Sequence, residues 1–155
     1  MPRWPFAYPS GMAFFEITRS VPVSARECWL RVTDWPRHSA LVPLTRVSVV
    51  GGGTTELGSV VVARTGFGPL GFDDPMEVVA WQPPTGRAPG RVRLEKRGSA
   101  VLGWAEVEVR ADGTRSVLRW REEVRLRGVP APLDAVLAGV GRRVFGRVVD
   151  GLLRG

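Results

Sequence analysis

PLDAVLAGVGRRVFGRVVDGLL, residues 132 to 153, reads as one long amphipathic helix at the end of a chain whose preceding segments read as strands. Leu133, Val136, Leu137, Val140, Val144, Val148 and Leu152 recur at helical spacing, so they form one stripe that has to be covered. The upstream segments alternate with period two, and the economical cover is an antiparallel sheet curved around the helix. What helix and sheet leave unfilled is a cavity, and that is where function is to be sought.

Back from the helix, strands are expected near 116–127, 102–110, 91–97, 74–81, 59–65 and 46–50, separated by stretches rich in turn formers. Asp112-Gly113 is the strongest hairpin signal and makes the last two strands antiparallel neighbours. The last strand sets Leu118, Trp120, Glu122, Val124 and Leu126 on one face against Arg119, Arg121, Glu123, Arg125 and Arg127 on the other. In a meander, the acidic outer row containing Glu106 and Glu108 falls between two mainly basic rows, a favourable cross-strand pattern that accounts for much of the positive charge.

Ahead of these strands, Phe14–Val21 reads as the first strand, with Phe15 and Ile17 on one face. Ser24 is placed to cap a helix over about Ala25–Val32, with Glu27 as its capping-box partner. Asp34 is placed to cap a second short helix running to about Leu41, which Pro43 stops. The two helices form a V suited to plugging one end of the sheet. Residues 1–11 read as a disordered lead and 12–155 as a single α+β domain.

The chain has 155 residues, 44% apolar and 24% charged, which suits a folded domain and excludes a disordered one. Lys and Arg number 22 against 15 Asp and Glu, a net charge of +7, and Lys96 is the only lysine. A single cysteine, Cys28, excludes a disulfide framework and reads as a buried, inert thiol. No run is apolar enough for a membrane span and the N-terminus lacks a signal-peptide pattern, so a cytoplasmic location is expected. With one His and one Cys, no metal centre is expected. Gly66-Phe67-Gly68-Pro69-Leu70-Gly71 formally matches a dinucleotide fingerprint, but Pro69 and a following strand replace the required helix, so no nucleotide or other cofactor is expected.

Several stretches carry a family resemblance: Phe15-Glu16-Ile17, Pro22-Val23-Ser24-Ala25 leading to Cys28-Trp29, Thr33-Asp34-Trp35-Pro36-Arg37-His38, and Leu118-Arg119-Trp120-Arg121-Glu122-Glu123. Together with the element order, over roughly residues 14–153, the chain resembles the START-like helix-grip superfamily, also called SRPBCC. That group includes polyketide cyclase/dehydrase and lipid-transport proteins. The resemblance implies a helix-grip fold, a seven-stranded antiparallel sheet wrapped around the C-terminal helix with two short helices after strand 1. It also implies a hydrophobic tunnel holding a lipid, polyketide or similar apolar ligand. It transfers no catalytic residue.

Within that frame, parity points Glu122 inward, where a buried carboxylate needs a partner. Arg64, sharing parity with Val60 and Val62, and Lys96, sharing that of Val92 and Leu94, are the basic residues placed to supply it. Such a pair is either a structural ion pair at a tunnel end or a polar device that orients a ligand or assists enolisation. His38, beside Arg37, reads as a surface histidine; its alternative is a general acid or base at the cavity entrance. Glu122, Arg64 and His38 are thus the catalytic candidates. Gly66 to Gly71 reads as a flexible hairpin loop or as a mobile lip bearing Phe67 and Leu70 over the cavity mouth. Val62, Met76, Val78, Leu94, Trp120, Leu137, Val140 and Val144 are the remaining expected lining, and Asp73-Asp74 reads as a turn or surface pair. Gly139, Gly141 and Gly146, costly within a helix, point to close approach or to space.

Two readings follow: a protein that binds or carries an apolar small molecule, or an aromatase/cyclase-type enzyme that moves protons through those residues. A surface for RNA is the least favoured, because the Arg rows are broken by Glu and offer few exposed aromatics.

Overall fold

The computed structural model describes residues 13–67 and 69–154, the side chains of Phe67 and Ala131 excepted. The expected lead over residues 1–11 lies outside the described residues. The chain runs β1 (Ala13–Val21), α1 (Ala25–Val32), α2 (Trp35–His38), β2 (Thr45–Val49), β3 (Val60–Phe67), β4 (Leu70–Gln82), β5 (Gly90–Lys96), β6 (Val101–Asp112), β7 (Arg115–Leu126), a short 3-10 turn (Ala131–Leu133) and α3 (Asp134–Leu153). All seven strands form one curved antiparallel sheet in the order β1-β7-β6-β5-β4-β3-β2. Its inner face holds the core with α1, α2 and the C-terminal half of α3. Among the described residues no helix is long and apolar enough to cross a membrane.

Local chemistry sets the element ends. Ser24 Oγ accepts the Glu27 N–H at 3.1 Å and starts α1, while the Glu27 carboxylate turns to Arg31 instead of closing a capping box. Asp34 makes no side-chain capping bond, and α2 stops at His38 instead of reaching Leu41. Asp112 pairs with Arg115 across the β6–β7 hairpin, with Gly113 at φ +61° in the left-handed conformation that such a turn requires. The register slips between Val78 and Ala80, a bulge that returns Trp81 to the inner face, where it packs on Trp29.

Two expectations need correction. Gly66–Gly71 is no free loop: the ladder continues through it, Gly66 pairing with Gly71 and Phe67 with Leu70. A side chain on Gly66 would fall 2.2 Å from the Gly71 Cα, so these glycines serve close strand approach.

The helical stripe is also seated differently. Leu133, Val136 and Val140 are exposed, whereas Val148, Val149 and Leu152 are buried. Phe145, beside them, stacks on Phe15 at 5.6 Å. The seated face is rotated by about one residue because Gly141 lets the Phe15 ring approach; a Cβ there would lie 2.8 Å from Phe15 Cε1. Around Gly139 there is open space instead.

On the outer face, Glu106 accepts from Arg91 and Arg93 of β5 and from Arg121 of β7, as the alternating rows suggested. Burial alone would raise the Glu106 pKa, but the guanidiniums outweigh it and hold the carboxyl below its usual range. Cys28 is fully buried, and burial pushes its thiol pKa up.

Candidate functional site

A cavity of about 360 Å³ lies between the inner sheet face, α2 and α3. Period two builds its walls. Val61, Ala63 and Thr65 come from β3, and Phe72, Asp74 and Met76 from β4. Leu94 and Lys96 come from β5, Val101 and Ala105 from β6, and Trp120, Glu122 and Val124 from β7. Trp35 and His38 of α2 and Val144 and Phe145 of α3 also line the cavity.

In these apolar walls sits one polar corner. Lys96 Nζ donates to Asp74 Oδ2 at 2.7 Å and lies 3.4 Å from Glu122 Oε1 and 3.6 Å from Met76 Sδ. Trp120 Nε1 donates to Glu122 Oε2 at 3.2 Å. Burial pushes the Glu122 pKa up, against the opposing pull of Lys96 and Trp120. Burial also acts against the Lys96 charge, but Glu122 and Asp74 outweigh it and raise the Lys96 pKa, so the side chain is an ammonium and not a nucleophilic amine. Asp74 Oδ1 is buried and meets no hydrogen-bond donor among the described residues.

His38 is only 4% exposed and lies in the cavity wall, not on the surface. The Trp35-Pro36-Arg37-His38 turn brings its ring within 5.3 Å of Trp35 and 5.9 Å of Trp120. Burial depresses its pKa, against the Val32 carbonyl and Asp34. Nε2 lies 3.0 Å from the Val32 carbonyl oxygen, which can only accept, so the neutral ring carries its proton there and Nδ1 keeps a lone pair.

Of the residues expected at the site, Met76, Leu94, Trp120, Glu122, Val144 and His38 line this cavity. Val62 and Arg64 do not: the inner row of β3 is Val61, Ala63 and Thr65, and Arg64 turns outward to Asp73 at 3.1 Å. Val78 is packed solidly into the core. Leu137 and Val140 border a separate hollow of about 210 Å³ between α3 and strands β1 and β7. Leu70 is 80% exposed, and the Phe67 side chain lies outside the described residues. Asp74 was missed, although it shares parity with Met76 and Val78; the neighbouring Asp73 disguised it as half of a surface pair.

No protein-family model matches the sequence, and no curated protein does. Solved structures do match the fold. A START superfamily protein from Mycobacterium smegmatis aligns at TM-score 0.69 and 14% identity, over 91% of this chain and 97% of that one. The Zhui aromatase/cyclase from Streptomyces sp. R1128 aligns at TM-score 0.64 and 16% identity, over 92% of each chain. Ara h 8.0201 aligns at TM-score 0.61 and 13% identity, over 94% of this chain and 100% of that one. At such identities the likeness concerns architecture, and function has to be argued from the cavity itself. The chain therefore has the helix-grip fold that these structures share.

Proposed function

We propose that this chain binds or carries an apolar small molecule, lipid-like or polyketide-like, inside the cavity between the sheet and α3. The observation that carries this reading is the cavity of about 360 Å³ with apolar walls and one polar corner, the usual form of a small-molecule site. The outer basic rows do not favour a nucleic-acid role, because Arg91, Arg93 and Arg121 are engaged by Glu106. The test is titration with the neutral dye N-phenylnaphthylamine, comparing wild type with Ala63→Phe, which fills space from β3. The dye should bind wild type with one-to-one stoichiometry and bind the folded variant at least tenfold more weakly. No binding to wild type, or equal binding to both, refutes the reading.

A second reading, an aromatase/cyclase-type enzyme acting on a poly-β-keto chain, is favoured by one observation. Glu122 retains its proton to higher pH than an ordinary glutamate and lines the same cavity as neutral His38, so an acid and a base border one apolar space. With a synthetic poly-β-ketone as substrate, Glu122→Gln should leave binding intact and abolish cyclisation. Unchanged cyclisation removes Glu122 from the chemistry.

A further inference from the structure

The hydrogen-bonding capacity of the cavity is lopsided. Each side-chain donor in its described lining is already committed. Trp35 Nε1 donates to Thr55 Oγ1 at 3.0 Å, and His38 Nε2 donates to the Val32 carbonyl. Thr45 Oγ1 donates to the Pro43 carbonyl at 3.0 Å and accepts from Thr65 Oγ1 at 2.9 Å. Trp120 Nε1 donates to Glu122, and the Lys96 ammonium is spread over Asp74, Glu122 and the Met76 sulfur. On the acceptor side, Asp74 is 8% exposed with Oδ2 taken by Lys96 and Oδ1 open. With both Glu122 oxygens engaged by Lys96 and Trp120, the walls thus present unused acceptors, the Asp74 carboxylate oxygen and the neutral His38 Nδ1, and no unused side-chain donor.

Charge narrows the choice of guest. A ligand ammonium reaching Asp74 would lie beside the Lys96 ammonium, 2.7 Å from the same carboxylate. A ligand carboxylate would face Asp74 and Glu122, which already neutralise Lys96. An ether or ketone brings only acceptors to a wall that needs a donor.

We propose that the cavity selects a neutral, hydroxyl-bearing apolar ligand, a phenol or alcohol, whose O–H donates to Asp74 Oδ1. Asp74 is then the specificity-determining residue. This rests on the reading that the cavity binds an apolar small molecule, and it divides that class: free fatty acids and amines are rejected, phenolic and alcoholic molecules are accepted.

The test uses a matched series of naphthol, its methyl ether and naphthalene, titrated calorimetrically against wild type, Asp74→Asn and the outward-facing control Asp73→Asn, each first checked for a cooperative thermal transition. Wild type and Asp73→Asn should prefer naphthol to its methyl ether by about tenfold or more. Asp74→Asn keeps an oxygen for Lys96 and turns an amide N–H₂ into the cavity. It should lose that preference and gain affinity for methyl naphthyl ketone. If wild type binds all three members of the series equally, the hydroxyl assignment is overturned while the apolar cavity stands. If it binds none of them, the binding reading itself falls. Should Asp74→Asn fail to fold, the wild-type series and the Asp73→Asn control decide alone.

Discussion

Lys96 and Glu122 face each other at 3.4 Å within the cavity wall, each with a side chain only 4% exposed. With Asp74 completing the group, one ammonium serves two carboxylates in an apolar setting. Such a cluster contributes little net stability when intact, but it is costly to break, because the remaining charges stay buried. Lys96→Met should therefore destabilise the protein by about 3–5 kcal/mol, read as a lower urea midpoint. Replacing all three members with Met, Gln and Asn should recover most of the loss. A Lys96→Met variant as stable as wild type would show that the cluster is solvated.

His38 makes stability depend on pH. Its folded pKa lies below the unfolded value of 6.5, so its contribution is complete above that value and is lost as pH falls through the window beneath it. Glu122, whose folded pKa is raised, gives the opposite slope, so the comparison has to be differential. Between about pH 7 and about pH 5, wild type should lose urea resistance relative to His38→Gln, whose amide can still donate to the Val32 carbonyl. Parallel curves would mean that His38 is not buried as a neutral ring.

Glu106 gathers three guanidiniums on the outer face while its own side chain is 5% exposed. Glu106→Gln should cost about 1–3 kcal/mol near neutral pH, a range tempered by the partial exposure of the arginines. Because the folded pKa is lowered, the charge contributes above the usual glutamate value of 4.5 and is lost as pH falls below it. The gap between wild type and variant should accordingly close in acid. A gap that persists unchanged below that value would exclude the ion-pair explanation.

Gly103 lets β6 and β7 approach closely. Its φ is +125°, and a Cβ would lie 1.9 Å from the Glu123 carbonyl oxygen, an overlap the backbone cannot absorb in place. Gly103→Ala should lower stability by about 2 kcal/mol or more, measured as a reduced melting temperature. An unchanged melting temperature would mean that the two strands are free to separate locally.

Period two and period 3.6 made the sheet and the terminal helix legible in the sequence, and capping chemistry located α1 through Ser24. Details that turn on a single residue of phase were less legible. Val60-Val61-Val62 carries no alternation, so sequence parity does not separate a Val62 and Arg64 inner row from a Val61 and Ala63 one; the Arg64–Asp73 pair across the register shows that the Arg64 row faces out. Likewise, the stripe on α3 fitted two adjacent faces, and the close contact of Gly141 with Phe15 decides between them. His38 looked exposed because it follows Arg37, yet its burial comes from aromatic partners distant in the sequence as well as near. The Lys96–Glu122 part of the polar corner followed from parity alone, and Asp74 needed the three-dimensional arrangement to be recognised.

The most direct check on the central claim is a crystal structure of the protein soaked with naphthol. The expected result is ligand density enclosed by Val61, Met76, Leu94 and Trp120, with the naphthol oxygen within hydrogen-bonding distance of Asp74 Oδ1. An interior without ligand density, in crystals whose solvent holds naphthol well above its measured Kd, would contradict it.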